Sequence, residues 1–202
     1  MHIAEGVLSP AVLLTGYALT AAGTAAGLRR LDYDRLMTVA ILAAAFFVGS
    51  LIHVPIGPSS AHLILNGLLG VILGWAAIPA ILAGLALQAL LFQFGGFTVL
   101  GVNTCTMGFA AVLSWYVFRG LCRLMPSAAG RRAAAFCCGA LGVLAAALFT
   151  ALALSASDEG FAAAARLLFL AHLPIMLVEG LITMFTVDFI AKVRPELLRL
   201  AA

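Results

Sequence analysis

Ala133-Ala134-Ala135-Phe136-Cys137-Cys138-Gly139-Ala140-Leu141-Gly142-Val143-Leu144-Ala145-Ala146-Ala147-Leu148-Phe149-Thr150-Ala151-Leu152-Ala153-Leu154 contains no charged residue, and Arg131-Arg132 stands immediately before it. A helix rises 1.5 Å per residue, so a run this long crosses the roughly 30 Å hydrocarbon core of a bilayer. Similar runs fall near Ser9–Leu28, Leu36–Ile52, Ala61–Leu73, Ile78–Phe92, Thr104–Leu121 and His172–Ala191. The third and fourth are short, joined by Gly74–Pro79, and fit a tilted hairpin packed against longer helices. Phe161–Ala171 is either an outer helix or part of the last span. The expectation is an all-α integral membrane protein of about seven transmembrane helices. It forms a single polytopic domain over 1–202, with an N-terminal segment at 1–8 and a helical bundle at 9–195. Composition agrees: 64% of the 202 residues are hydrophobic and 9% charged, where soluble domains are about a quarter charged.

Lysine and arginine favour the cytoplasmic side of a membrane. Arg29, Arg30 and Arg35 follow the first run. Arg119, Arg123, Arg131 and Arg132 separate the fifth from the sixth. Lys192, Arg194 and Arg199 follow the seventh. Seven crossings put all three groups on one face, which predicts an outer N-terminus, a cytoplasmic C-terminus and a multi-pass protein of the inner (cytoplasmic) membrane. No basic segment precedes an apolar one at Met1-His2-Ile3-Ala4-Glu5-Gly6, so these residues are expected to be retained. The net charge of +3 includes no basic run, which argues against a nucleic-acid partner. Cys105, Cys122, Cys137 and Cys138 lack metal-ligand or scaffold spacing and read as small packing residues.

In this topology His2, His53, His62 and His172 all face the outer compartment. His2 adds a specific chemistry. The Met1 amine, the His2 peptide nitrogen and the His2 imidazole Nδ1 can close a five- and a six-membered ring on one metal. Ni²⁺ and Cu²⁺ accept square-planar nitrogen of this kind. A further imidazole completes the fourth corner. His62 follows the chain break at Gly57-Pro58 and the potential helix caps Ser59 and Ser60, which predicts a place in the first turn of helix three. It reads either as that donor or as a core histidine bonded to a carbonyl. His53 reads as a supporting or interfacial group.

Four stretches, in order, resemble the CbiM/NikM family, the substrate-binding S components of energy-coupling-factor (ECF-type) cobalt and nickel transporters. They are Met1-His2-Ile3-Ala4-Glu5-Gly6, then Val54–Gly67 with Ser60-Ala61-His62-Leu63. Gly95-Gly96-Phe97-Thr98-Val99-Leu100-Gly101-Val102-Asn103-Thr104 with Met107-Gly108 is the third. His172-Leu173-Pro174 with Glu179-Gly180-Leu181-Ile182-Thr183 is the last. The resemblance implies seven helices and four nitrogen ligands for transported Ni²⁺ or Co²⁺: the Met1 amine, the His2 amide, the His2 imidazole and the His62 imidazole. It implies three partners, a T-component membrane subunit, a cytoplasmic ATPase subunit and a small accessory membrane subunit, and no organic cofactor. One branch of the family has proline where this chain has Leu63, which leaves nickel against cobalt open.

Other positions are candidates for support. The Gly95-Gly96 stretch is either a turn or a cover over the site, with Gln93 or Asn103 holding a ligand imidazole and Thr104 beside it. Glu179 lies about two turns from His172 on one face, and an interhelical bond is favoured over metal contact. Ala18, Ala22 and Ala26 form a small-residue stripe, suited either to the T component or to internal packing. No G-x-x-x-x-G-K-[ST] loop occurs, so any ATPase is another subunit. Two other classes compete. A stand-alone secondary transporter needs ionisable groups along a path, and only Glu179 lies well inside. A hydrolase using Ser59 or Ser60 lacks a Gly-x-Ser-x-Gly elbow.

Overall fold

The computed structural model describes residues 2–51, 53–56, 59–158, 160 and 162–199. Among these, seven helices of eight residues or more run in chain order as α1 (Pro10–Arg29), α2 (Leu36–Gly49), α3 (Asn66–Leu73), α4 (Ala77–Phe92), α5 (Leu100–Leu124), α6 (Ala128–Ser155) and α7 (Ala162–Val193). A four-residue helix, α8 (Glu196–Arg199), follows. Strands β1 (His53–Ile56) and β2 (Ser59–His62) pair antiparallel between α2 and α3.

Five stretches have the length and hydropathy of a membrane span: Pro10–Arg29, Asn66–Phe92, Leu100–Leu124, Ala128–Ser155 and Phe169–Val193. The second is not one rod. Gly70 lies against Ala111 and Gly74 against Trp115, so α3 runs parallel to α5. Ile78 then lies against Gly108, nearer the start of α5, so α4 runs back. The expected hairpin of short helices is therefore present. Seven full crossings are not: α2 has 14 residues and α3 has 8, about 21 Å and 12 Å against a core of roughly 30 Å. Asn66 through Ile72 of α3 are all buried, as expected of a helix apolar on every side and enclosed by others.

Two further expectations are corrected. His62 is not in a helical turn; it ends strand β2, and α3 begins at Asn66 rather than Ala61. Leu65 has a left-handed φ of 52° that a helix cannot propagate through. The Glu179 carboxylate of α7 accepts the N–H groups of Ile64 and Leu65, which supplies partners a helical turn would otherwise need. At the other end, 162–171 is continuous with the last helix, which tolerates Pro174 in its interior.

The core has two main apolar clusters. One, around Phe46, Ile81, Leu85 and Met107, joins α2, α4 and α5. The other, around Leu68, Ile72, Phe118 and Cys138, joins α3, α5 and α6. The four cysteines are free. Gly16, Thr20, Gly23 and Gly27 are the buried face of α1, and Thr20 Oγ1 donates to Gly101 O at 2.6 Å. Ala18 and Ala22 are exposed on another face, with Ala26 partly so.

Basic side chains gather at one end of the bundle. The Arg30 guanidinium lies 4.7 Å over Trp75, and Arg119 lies 5.0 Å over Trp115. Asp188 of α7 pairs with Arg132 at 2.7 Å and with Lys192 at 2.8 Å. Residues 2–9 and the β-hairpin occupy the opposite end.

The closest helix approach generates a prediction. A side chain at Gly70 collides with the Ala111 main chain, whereas one at exposed Gly120 meets nothing within 4 Å. Gly70→Val should cost about 1–3 kcal/mol or more, the usual cost of overpacking, and lower the thermal midpoint in detergent. Gly120→Ala should be neutral or stabilising by up to ~1 kcal/mol.

Candidate metal centre

A chain start normally frays unless it is tied down, and residues 2–9 are tied at several points. Ile3 is fully buried with Leu8, Val99, Val102 and Leu154. Its N–H donates to Asn103 Oδ1 at 2.9 Å, and Asn103 Nδ2 donates back to Ile3 O at 3.2 Å. Glu5 accepts from the N–H of Thr98 at 2.9 Å and from its hydroxyl at 3.0 Å. Those bonds hold the Glu5 carboxyl below its usual range. The Ser9 N–H donates to Ser157 Oγ at 3.1 Å. The α4–α5 loop passes close because Gly95 has a φ of +75°, and a Cβ there would stand 3.1 Å from Asn103 Nδ2 and 3.5 Å from the His2 ring.

This clamp carries His2 inward, leaving it 6% exposed. Its ring lies 4.6 Å from that of His62, centroid to centroid, with planes tilted 34°. His2 Nε2 lies 2.7 Å from Gln88 Oε1 of α4. Because Oε1 only accepts, Nε2 is the protonated nitrogen, and in a neutral ring Nδ1 then carries the lone pair. The Gln88 amide is itself oriented: its NH₂ donates to Ser50 Oγ and lies 3.3 Å from Phe47 O.

His62 has the complementary tautomer. Its Nδ1 lies 2.7 Å from the carbonyl of Leu63 and so bears the proton. Nε2 is buried and has no hydrogen-bond partner among the described residues. Burial pushes the His62 pKa down to about 4, the Leu63 carbonyl opposes this, and the charge of His172 adds to it. The ring is therefore neutral across ordinary pH, the state in which imidazole binds metals.

The remaining candidates distribute as follows. Met1 lies outside the described residues. His53 is the cross-strand Cα partner of His62, and its side chain lies outside the description. His172 is fully buried on α7. Asn103 holds the Ile3 main chain rather than an imidazole, and Gln93 is exposed at the end of α4 with a left-handed φ of 57°. Thr104 is buried, its hydroxyl without a partner among the described residues. Glu179 is fully buried and holds the turn after His62. Gln88 and Ser50 were absent from the sequence reading. The signal was available: a glutamine inside the apolar run Ile78–Phe92 needs a buried partner.

Residues 2–197 match the family model CbiM, described as a cobalt uptake substrate-specific transmembrane region. A putative metal transport protein of Haemophilus influenzae is 43% identical, over 98% of this chain and 97% of its own. A putative fused nickel transport protein NikMN of Archaeoglobus fulgidus is 33% identical over 98% of this chain and 68% of its own. The cobalt transport protein CbiM of Geobacter sulfurreducens is 31% identical over 98% and 61%. A crystal structure described as a transition metal transporter superposes with a TM-score of 0.80 at 32% identity, covering 96% of this chain and 93% of that one. Matched end to end in sequence and in fold, the chain belongs to the CbiM family, as a multi-pass cobalt/nickel uptake membrane protein of the CbiM/NikM type.

Proposed function

We propose that this chain is the metal-capturing subunit of an ATP-driven nickel or cobalt importer, and that it binds the ion through its own N-terminus. The observation that carries this reading is the buried His2–His62 pair, 4.6 Å apart, with one ring nitrogen protonated on each by a fixed acceptor. His2 Nδ1 with the His2 amide and the Met1 amine supplies three nitrogens in fused rings. His62 Nε2 supplies the fourth. Four nitrogens in a plane suit Ni²⁺, and Cu²⁺ binds such sets more tightly still, so copper must be excluded by availability or by shape.

The basic end of the bundle is read as cytoplasmic, which puts the metal centre on the outer face. The exposed Ala18-Ala22-Ala26 face of α1 is the surface offered to a T component, whose close approach small residues allow. A cytoplasmic ATPase and a small accessory membrane subunit complete the assembly. Uptake by proteoliposomes containing this chain alone would instead identify a stand-alone transporter.

Three outcomes test the site. One residue inserted before Met1 turns the amine into an amide, and calorimetric Ni²⁺ affinity should fall at least about tenfold, a loss of over ~1.4 kcal/mol. A C-terminal tag should leave it unchanged. Undiminished affinity in the extended protein rules the chelate out.

His62→Ala should cost far more affinity than His172→Ala or His53→Ala. Normal binding by His62→Ala together with failure of His53→Ala would move the fourth ligand across the hairpin.

Acidity should act in two windows. Apparent Ni²⁺ affinity should fall between roughly pH 8 and 5.5, where protons compete for amine and imidazole nitrogens whose unperturbed values are about 7.7–8.0 and about 6.5. Calorimetry in buffers of different ionisation enthalpy should count more than one proton released per metal. His62 does not compete there, because its pKa is about 4. Its folded value lies below the unfolded value of about 6.5, so the unfolded chain binds more protons in between. The stability it contributes is present above about 6.5 and is lost as pH falls through about 4. The thermal midpoint of the apo protein should drop over that interval, less so in His62→Gln. Affinity flat to pH 5.5 would mean a different site is in use.

A further inference from the structure

The interior of α4 presents a polar group for which transport by itself gives no account. Gln88 is fully buried in an otherwise apolar helix. Its amide nitrogen faces two groups at once, Ser50 Oγ and, at 3.3 Å, Phe47 O. Ser50 Oγ in turn lies 2.7 Å from Phe46 O and 3.1 Å from Phe47 O, so its hydroxyl proton is committed to a main-chain carbonyl. A carbonyl only accepts, so the side of the Gln88 amide facing Phe47 must be the NH₂. That settles the orientation of Oε1, which points at His2 Nε2 at 2.7 Å. The end of α2 thus fixes the amide, and the amide fixes the imidazole.

We propose that Gln88 is a positioning residue for metal capture: its Oε1, oriented by Ser50 and the Phe47 carbonyl, keeps the His2 proton on Nε2 and presents Nδ1 to the metal. The inference rests on the N-terminal chelate proposed above. Only Nδ1 closes a six-membered ring with the adjacent peptide nitrogen. Binding through Nε2 would need a larger ring and a different ring orientation. A neutral imidazole has one N–H, so a fixed acceptor at Nε2 places the lone pair on Nδ1. The same bond holds the ring against rotation, and it strengthens Nδ1 as a donor by drawing on the Nε2–H.

The test uses the full chain in nanodiscs, with ¹⁵N-labelled histidine and Ni²⁺ as the probe. Long-range ¹H–¹⁵N spectra of the metal-free protein should show His2 with a pyrrole-type Nε2 and a pyridine-type Nδ1. Gln88→Leu should lower Ni²⁺ affinity about 10–100-fold, the usual effect of losing the hydrogen-bond partner of a ligating histidine. Gln88→Glu keeps an acceptor and should bind within a few-fold of the parent, although it gives up the bonds to Ser50 and Phe47. A purely structural role predicts that both variants fail together, in step with their thermal midpoints. If Gln88→Leu does not fold, Ser50→Ala releases the amide without touching it and should show a smaller loss of affinity. A pyridine-type Nε2 in the metal-free parent, or a folded Gln88→Leu that binds Ni²⁺ like the parent, overturns the proposal. Should the parent bind no Ni²⁺ at all, the chelate fails, while the metal-free spectrum still decides what Gln88 does to His2.

Discussion

The exchange of two hydrogen bonds between Asn103 and the main chain of Ile3 is the contact that sets His2 beside His62 in the candidate site. It works like one rung of a sheet built from a side chain: Oδ1 takes the N–H and Nδ2 gives to the C=O. It acts together with the bonds from Thr98 to Glu5 and from Ser9 to Ser157 to remove the freedom of a frayed end. With it, and with Ile3 in its apolar seat, the His2 ring has one place to go. The loop at Gly95 approaches the same ring, and His2, Ile3 and Leu8 are buried while Ala4, Glu5 and Gly6 between them stay exposed.

Much of this was legible beforehand. Apolar runs pointed to membrane helices, of which five stretches have the length to span, and basic side chains beside them do gather at one end. The Gly74 region correctly separated α3 from α4. His2 and His62 were singled out from chemistry and motif, and the fold brings their rings together. Asn103 was identified as a support, with its role reversed: it grips backbone, not imidazole. The backbone around His62 was misread. Ser59 and Ser60 look like caps, but what decides the conformation is a carboxylate 114 residues further on that reaches Leu65. No local propensity encodes that bond. Gln88 was passed over for a related reason. Its meaning depends on Ser50 and His2, which lie 38 and 86 residues away, and hydropathy averages one glutamine into its apolar surroundings.

Glu179 shows how a carboxylate survives inside an apolar protein. Isolated, such a group is among the most expensive to bury. Here it accepts two successive main-chain N–H groups at the entrance to α3. Its helix faces the hairpin that carries His62, and at its far end Asp188 is paired with Arg132 and Lys192. One long helix therefore touches the hairpin end through the buried Glu179 carboxyl and the basic end through the half-buried Asp188.

The seat of α3 has a consequence for the order in which the protein is made. The Asn66 amide is buried and donates to Gly142 O at 2.9 Å, with Met107 O at 3.5 Å. Those carbonyls belong to α6 and α5, which leave the ribosome 76 and 41 residues later. Eight residues are too few to stand alone across a bilayer, and an amide unsatisfied in hydrocarbon is costly. Before α6 has entered the membrane, α3 has no finished place to occupy, and the turn that positions His62 has no anchor until α7 delivers Glu179. The turn beside His62 thus reaches its described geometry only after a helix more than a hundred residues further along the chain has been made.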